Sequence, residues 1–292
     1  MDLHALRIFK AIADSGSFSA AAHALNYAQS NISTRIQQLE MELQCSLFYR
    51  NNRGIDLTPK GKLLLEYADR ILALADVAAT AMQEDGVARG PLSIGSMETV
   101  ASVHLPRLLA KYHHQYPQVR LSLTTGNTSY CIEQVLGHDL DGAFVAGPIH
   151  HPDLVQKAYC LEHLLLVGDM AHGETDFWNN LAKETLLVFP YGCSYRAMLE
   201  AIVNQPKRGM DRIIEFNSLG AMLASICAGL GIGLLPESVV SSYIQAGQMS
   251  SHEVSEEYSE VSTVFIYRKD HFLNTAFLRF LDMLEPEGTD EE

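Results

Sequence analysis

Cys193 stands between a glycine and a serine in FPYGCSYR, residues 189–196, at a strand-to-helix turn by pattern. A thiol there has three chemical uses: nucleophile, redox sensor or wall of a ligand pocket. A nucleophile needs a base, and no recognisable partner accompanies Cys193. GxSxG, HExxH and Walker motifs do not occur, so no enzyme is expected. A helix N-terminus would lower the thiol pKa, and Arg196 would add to that. Four other apolar runs end in similar turns. IGSMET offers Ser96, Met97 and Thr99, and LTTGNTS offers Thr125, Gly126 and Asn127. FVAGP offers Val145, Ala146 and Gly147, and FNSLG offers Asn217 and Ser218; the fifth turn carries Cys193 and Ser194. Ligands bind at the carboxyl ends of strands, where helix N-termini present free N–H groups. The five turns therefore predict a pocket for a small, anionic effector; some of them serve as ordinary turn and cap residues.

A second chemistry sits near the N-terminus. Ile32, Ile36, Leu39 and Leu43 form one narrow helical stripe. Ser30, Thr34, Gln37 and Gln38 point away from it, Ser33 and Arg35 flank it, and Gln29 lies in the turn before. This face is polar but nearly uncharged. Amide and hydroxyl groups suit base edges in a major groove, and arginine suits bases or phosphates. The following LFYRNNRGIDLTPKG, residues 47–61, reads as two short strands around an Asn-Arg-Gly turn, with Arg50 and Arg53 placed for phosphates or a minor groove.

Other elements must position these residues. Two helical runs precede the polar face, the second, around Phe18–Leu25, with Ser17 as its N-cap. From Pro59 a long helix carries the apolar stripe Leu64, Ala68, Ile71, Ala75, Ala78 and Met82, widened by Leu63, Leu65, Leu72 and Leu74. Something must cover it, either the head or a second copy. GVARGP, residues 86–91, is a hinge. Strand and helix then alternate, predicting an α/β body with largely parallel sheets. The last strand and helix return to the first of two lobes, and PEGTDEE is an acidic tail. The expected domains are 1–58, 59–90 and 91–292, with lobe 1 at about 91–160 and 264–292 and lobe 2 at about 161–263.

Charge divides the same way. Of the net −14, residues 1–62 carry +2 and the remainder −16, so phosphate contacts belong to the head. The five cysteines are odd in number and lack CxxC spacing, which favours reduced thiols over a disulfide framework or zinc site. His113–His114 and His150–His151 have no further ligand at suitable spacing, so neither metal nor cofactor is expected. AGLGIGLLPE is Gly-rich, but its glycines alternate and it lacks the strand-then-helix order of a nucleotide turn. No charge-free run of 18 apolar residues and no signal peptide are evident, so a cytoplasmic protein without a membrane partner is expected.

The run FKAIADSGSFSAAAHALNYAQSNISTRIQQLEMELQCSLFYRNNRGIDLTPKG resembles the winged helix-turn-helix of the LysR-type transcriptional regulators. Its Gln-Ser turn, S-x-x-I-x-x-L-E, L-F-x-R and L-T-P-x-G follow in the family's order. One position departs: Thr34 stands where the family often has arginine, and arginine follows at Arg35. The resemblance implies a winged helix-turn-helix, a long linker helix and a two-lobed effector domain like periplasmic binding proteins. It also implies double-stranded promoter DNA and RNA polymerase as partners, a homodimer or homotetramer paired through antiparallel linker helices, and an effector that changes the oligomer's shape on DNA. Ser96, Thr125 and the turn around Cys193 match the family's ligand-facing positions. For AGLGIGLLPE the resemblance implies a helix-to-strand turn that uses positive φ. Peroxide-sensing members place a reactive cysteine in such a turn, with a second nine residues on. Here position 202 is isoleucine, and Cys160 and Cys227 are the alternatives. A solute-binding protein would fit the body but leave the head without a use.

Overall fold

A computed structural model describes residues 1–51, 54–81, 86–170, 181, 184–203, 212–271 and 273–284. Contacts divide the chain into Met1–Gly86 and Val87–Glu292.

The first unit opens with α1 (Leu3–Ser15), α2 (Phe18–Leu25) and α3 (Gln29–Leu43). Asp2 caps α1 by accepting the Ala5 N–H at 2.8 Å, and Ser17 caps α2 by accepting the Ala20 N–H at 3.3 Å. Gly16, Asn26 and Gln44 end the three helices in the left-handed region. Ile32, Ile36 and Leu39 are buried against Leu6, Phe9 and Ile12. Each such burial contributes roughly 1.5–3 kcal/mol. β1 (Phe48–Asn51) and β2 (Gly54–Leu57) pair antiparallel as a wing. The Phe48 ring meets those of Phe9 and Phe18 at 5.2 and 5.8 Å.

The recurrent motif residues each have a physical task here. The Glu40 carboxylate accepts the Leu47 N–H at 2.7 Å, fixing the turn from α3 into the wing. The Thr58 hydroxyl donates to the Ser46 carbonyl and accepts the Gly61 N–H, capping α4 (Pro59–Ala81). Pro59 takes the first helical position, where a missing N–H costs nothing. Gly61 leaves room for the Leu47 carbonyl, which a Cβ would meet at 2.1 Å. Helix α4 packs on its own head through Ala68 and Leu72, and Arg7–Asp76 and Lys10–Asp69 ion pairs tie it to α1. The head thus covers part of the apolar stripe. Leu63, Tyr67 and Leu74, on another face, stay exposed.

The second unit contains β3 (Gly90–Ser96), α5 (Glu98–Val103), α6 (Leu105–Gln115), β4 (Val119–Thr125), α7 (Thr128–Leu136), β5 (Gly142–Gly147) and β6 (Leu154–Gly168). There follow β7 (Leu186–Val188), α8 (Ser194–Val203), β8 (Ile213–Glu215), α9 (Leu219–Cys227), β9 (Gly233–Pro236) and α10 (Glu237–Gln245). The described part closes with β10 (Ser250–Glu253), β11 (Glu260–Arg268) and α11 (Thr275–Asp282). The sheet order is β10-β6-β11-β5-β3-β4, with β9 also on β6. β6 is a long strand shared by two halves. Its first part pairs with β11, and its end pairs with β9 and β10. β8 pairs with β7, and Ile232 bridges β7 to the strand leading into β9.

Two expectations need correction. Among the described residues, parallel pairing joins β3–β4, β3–β5 and β7–β8, with one parallel bridge from Leu186 to Ile232, whereas β11 and β6 run antiparallel to their neighbours. Apolar periodicity shows a buried strand but not its direction. Of the glycines in AGLGIGLLPE, Gly229 alone has positive φ. Gly231 is small for another reason: a Cβ would meet the Thr185 carbonyl at 2.1 Å. Residues 286–292, the acidic tail, and Met82 lie outside the described residues.

Candidate functional site

Two surfaces carry the residues singled out above. On the head, α3 exposes Gln29, Ser30, Thr34, Gln37 and Gln38, and half-buries Ser33. The helix presents these groups because Ile32, Ile36 and Leu39 fix its opposite side in the core. Arg35 is committed within the chain: it pairs with Asp2 and donates to Gln38 Oε1 at 3.2 Å. Thr34, without a charge to neutralise, is free to face outward. Arg50 lies on β1 by its backbone, while its side chain, like the whole of Arg53, falls outside the described residues. Lys60 and Lys62, which the motif reading passed over, are exposed in the first turn of α4.

In the second unit a cavity of about 380 Å³ opens between the turns after β3 and β4 and those after β7 and β8. That volume is in the range of small-molecule sites, roughly 300–1,000 Å³. Met97, Thr99, Thr125, Gly126, Asn127 and Cys193 line it as expected residues of the five turns, together with Asn217. Glu98, Thr128, Tyr130, Phe189, Pro190 and Tyr195 also line it. They lie beside the chosen turn residues in sequence, but neither spacing nor type distinguishes them.

The remaining expected residues do not reach the cavity wall. Ser96 is fully buried and donates to the Met97 carbonyl at 2.9 Å. Val145 and Ala146 are buried inside β5, and the Ala146 N–H is taken by Thr128 Oγ1 at 3.2 Å. Ser194 opens α8, and Ser218 caps α9 by accepting the Ala221 N–H at 3.4 Å.

Two contacts fasten the walls together. Asn127 Nδ2 donates to the Tyr191 carbonyl at 2.8 Å, joining the turns before α7 and α8. Gly192 has φ +91°, and a Cβ there would meet Ser129 Oγ at 2.8 Å. Only glycine satisfies both demands. Deeper in, Tyr195 and Thr99 share a hydroxyl–hydroxyl hydrogen bond at 3.2 Å, and burial raises the Tyr195 pKa above its usual value.

Burial also pushes the Cys193 thiol above its ordinary value, outweighing the N–H groups of Arg196 and Tyr195 and the Arg196 charge. This corrects the expected lowering: desolvation wins over the helix N-terminus. Arg196 itself is buried, held by Glu200 and Glu215 at 2.8 Å each and stacked on the Tyr191 ring at 3.5 Å. Among the described residues no Lys, Arg or His lines the cavity, and Glu98 is its charged side chain. An anionic group would therefore be held by N–H and hydroxyl groups.

A winged helix-turn-helix with an outward polar helix, followed in the chain by an α/β unit with a small-molecule cavity, defines a ligand-responsive DNA-binding regulator. The family descriptions agree over nearly the whole chain. Residues 3–62 match the bacterial regulatory helix-turn-helix of the lysR family, and residues 85–288 match the LysR substrate binding domain. The chain belongs to the LysR family of transcriptional regulators and is not an enzyme. It is 46% identical over 281 residues to the HTH-type transcriptional regulator GltR of Bacillus subtilis, covering 96% of this chain and 95% of that one. It is 43% identical over 285 residues to YofA of Bacillus velezensis, covering 97% and 98%. Among solved structures, full-length CbnR complexed with its target DNA is similar at 26% identity and a TM-score of 0.68, with 97% and 99% covered. Among the described residues, no helix is long and apolar enough to cross a membrane.

Proposed function

We propose that the chain regulates transcription by binding promoter DNA through residues 1–58 and sensing a small anionic metabolite in the cavity of residues 91–292. Residues 59–90 serve as linker helix and hinge. The sensing part comprises lobe 1 at about 91–160 and 264–292 and lobe 2 at about 161–263. The carrying observation is the cavity itself. It brings strand-end turns from both halves of the sensing unit within reach of one small molecule. An effector that binds one arrangement of the halves better than another shifts the population toward it.

Exposed Leu63, Tyr67 and Leu74 on α4 recur at spacings of four and seven, one helical face. A second copy covering that face gives a homodimer, or a homotetramer built from dimers, with two heads on one DNA site. RNA polymerase is then the downstream partner, and the cytoplasm the place of action.

The test begins with genomic DNA recovered on the purified protein and sequenced, which supplies a promoter for a reporter. Thr125→Trp fills the cavity and is expected to leave DNA binding intact while abolishing the reporter's response to growth conditions. An unchanged response would remove the cavity from the sensing role.

A further inference from the structure

Among side chains that do not line the cavity, three of metal-ligating type converge. His104, at the junction of α5 and α6, pairs with Glu162 on β6. Cys160 directs its sulfur toward Glu162 Oε1 at 4.0 Å. The imidazole nitrogen, thiol sulfur and carboxylate oxygen all lie within 4.8 Å of one another. Cys160 and Glu162 are two residues apart on one strand, so their side chains leave the same face. The pairing of β6 with β11 shifts register at a β-bulge beside Cys160, with Cys160 opposite Thr263 and Ala158 opposite Val264. Such bulges re-aim neighbouring side chains. Ser238, in the first turn of α10, donates to Glu162 Oε2 at 2.8 Å. Glu162 is buried, while His104 and Cys160 are half-buried and leave the group an opening to solvent.

A buried carboxylate needs partners, and His104 and Ser238 already supply them. That need does not explain a thiol converging on the same oxygen. Nitrogen, sulfur and oxygen donors together suit a zinc-type cation rather than magnesium or calcium, which prefer oxygen alone. Charge agrees: a thiolate and a carboxylate neutralise one divalent ion, and neutral imidazole adds a third bond.

We propose that His104, Cys160 and Glu162 form a binding site for a zinc-type divalent cation, with Ser238 orienting the carboxylate. The ion takes the place of the direct His104–Glu162 contact, and solvent fills its fourth position. Cys160 releases its proton on binding, so affinity falls as pH is lowered. The site joins the α5–α6 junction to the start of α10 through β6, the strand that both halves of the unit share.

Cobalt(II), titrated into the purified full-length chain under reducing conditions, tests this directly. The expected result is visible ligand-field absorption with a thiolate-to-cobalt charge-transfer band in the near ultraviolet, both removed by competing zinc. Cys160→Ser abolishes the charge-transfer band, whereas Cys193→Ser and Cys227→Ser retain it. Ser238→Ala weakens binding by about ten- to a hundredfold, as loss of an orienting partner does. Absence of the band from the parent chain, or its persistence in Cys160→Ser, overturns the proposal. If Cys160→Ser does not fold, His104→Gln decides: loss of the tight ligand-field signal is expected, and an unchanged signal overturns the site.

Discussion

In the head, the candidate base-reading face comes from one helix, Gln29–Leu43; in the body, the cavity draws on residues 97–130 and 189–217. The difference is one of range. A helix repeats every 3.6 residues, so neighbours on its face are neighbours in sequence. The cavity exists only after the chain has returned on itself, and contacts such as Asn127–Tyr191 span 64 residues. Their electrostatics differ too. The head keeps a mostly uncharged polar face outward, while the cavity is lined by hydroxyl, amide and apolar groups with Glu98 among them.

The comparison can be broken first at the head's core. Ile36 is fully buried behind the polar face, and Ile36→Ala is expected to destabilise the head by about 2–5 kcal/mol. Calorimetry should show the head's transition falling while that of the body stays in place. A joint shift of both would mean that the two units unfold together. Gly192→Ala is the corresponding probe of the body. Its positive φ and the nearby Ser129 hydroxyl predict a loss of about 1–3 kcal/mol in the body's stability, with DNA affinity unchanged. A body transition within error of the parent's would show that the turn tolerates a side chain.

Thr34→Ala leaves the fold of the head alone but removes an outward hydroxyl. Specific DNA binding should weaken by about 1–3 kcal/mol while binding to scrambled DNA is kept, as read by fluorescence anisotropy at fixed salt. Equal loss on both DNAs would assign Thr34 to the phosphates. Thr58→Ala removes the α4 cap at a cost of about 1 kcal/mol, measured by denaturant titration. The smallest effect belongs to Cys193. Because burial raises its thiol pKa and so disfavours the reactive thiolate, Cys193→Ser should leave peroxide sensitivity of DNA binding unchanged. A response that disappears with the thiol would restore the redox reading.

The helical elements of the head were legible because burial there follows a short period. Ile32, Ile36 and Leu39 lie inward as their spacing requires. What periodicity could not show was that Arg35 is held by Asp2, 33 residues earlier, and that Lys60 and Lys62 are exposed beside the wing. In the body, the strand-end turns named Met97, Thr99, Thr125, Gly126, Asn127 and Cys193, which the cavity collects. They also named Ser96, Val145 and Ala146, which burial removes from it. A turn residue and a pocket residue look alike until the neighbouring strand is in place. Tyr195 and Phe189 escaped notice for the converse reason: large aromatics are read as core unless a void opens beside them.

By itself the sequence determined the family, the three-helix head with its wing, and the alternation of strands and helices in the body. Those depend on local spacing, caps and turns, which a linear pattern records. The tertiary structure decided the direction of β6 and β11, the walls of the cavity and the burial that raises the Cys193 pKa. It also brought His104 within reach of Cys160 and Glu162, more than fifty residues away in the chain. Each of these depends on what lies nearby after folding, and both desolvation and ligand geometry are properties of that neighbourhood.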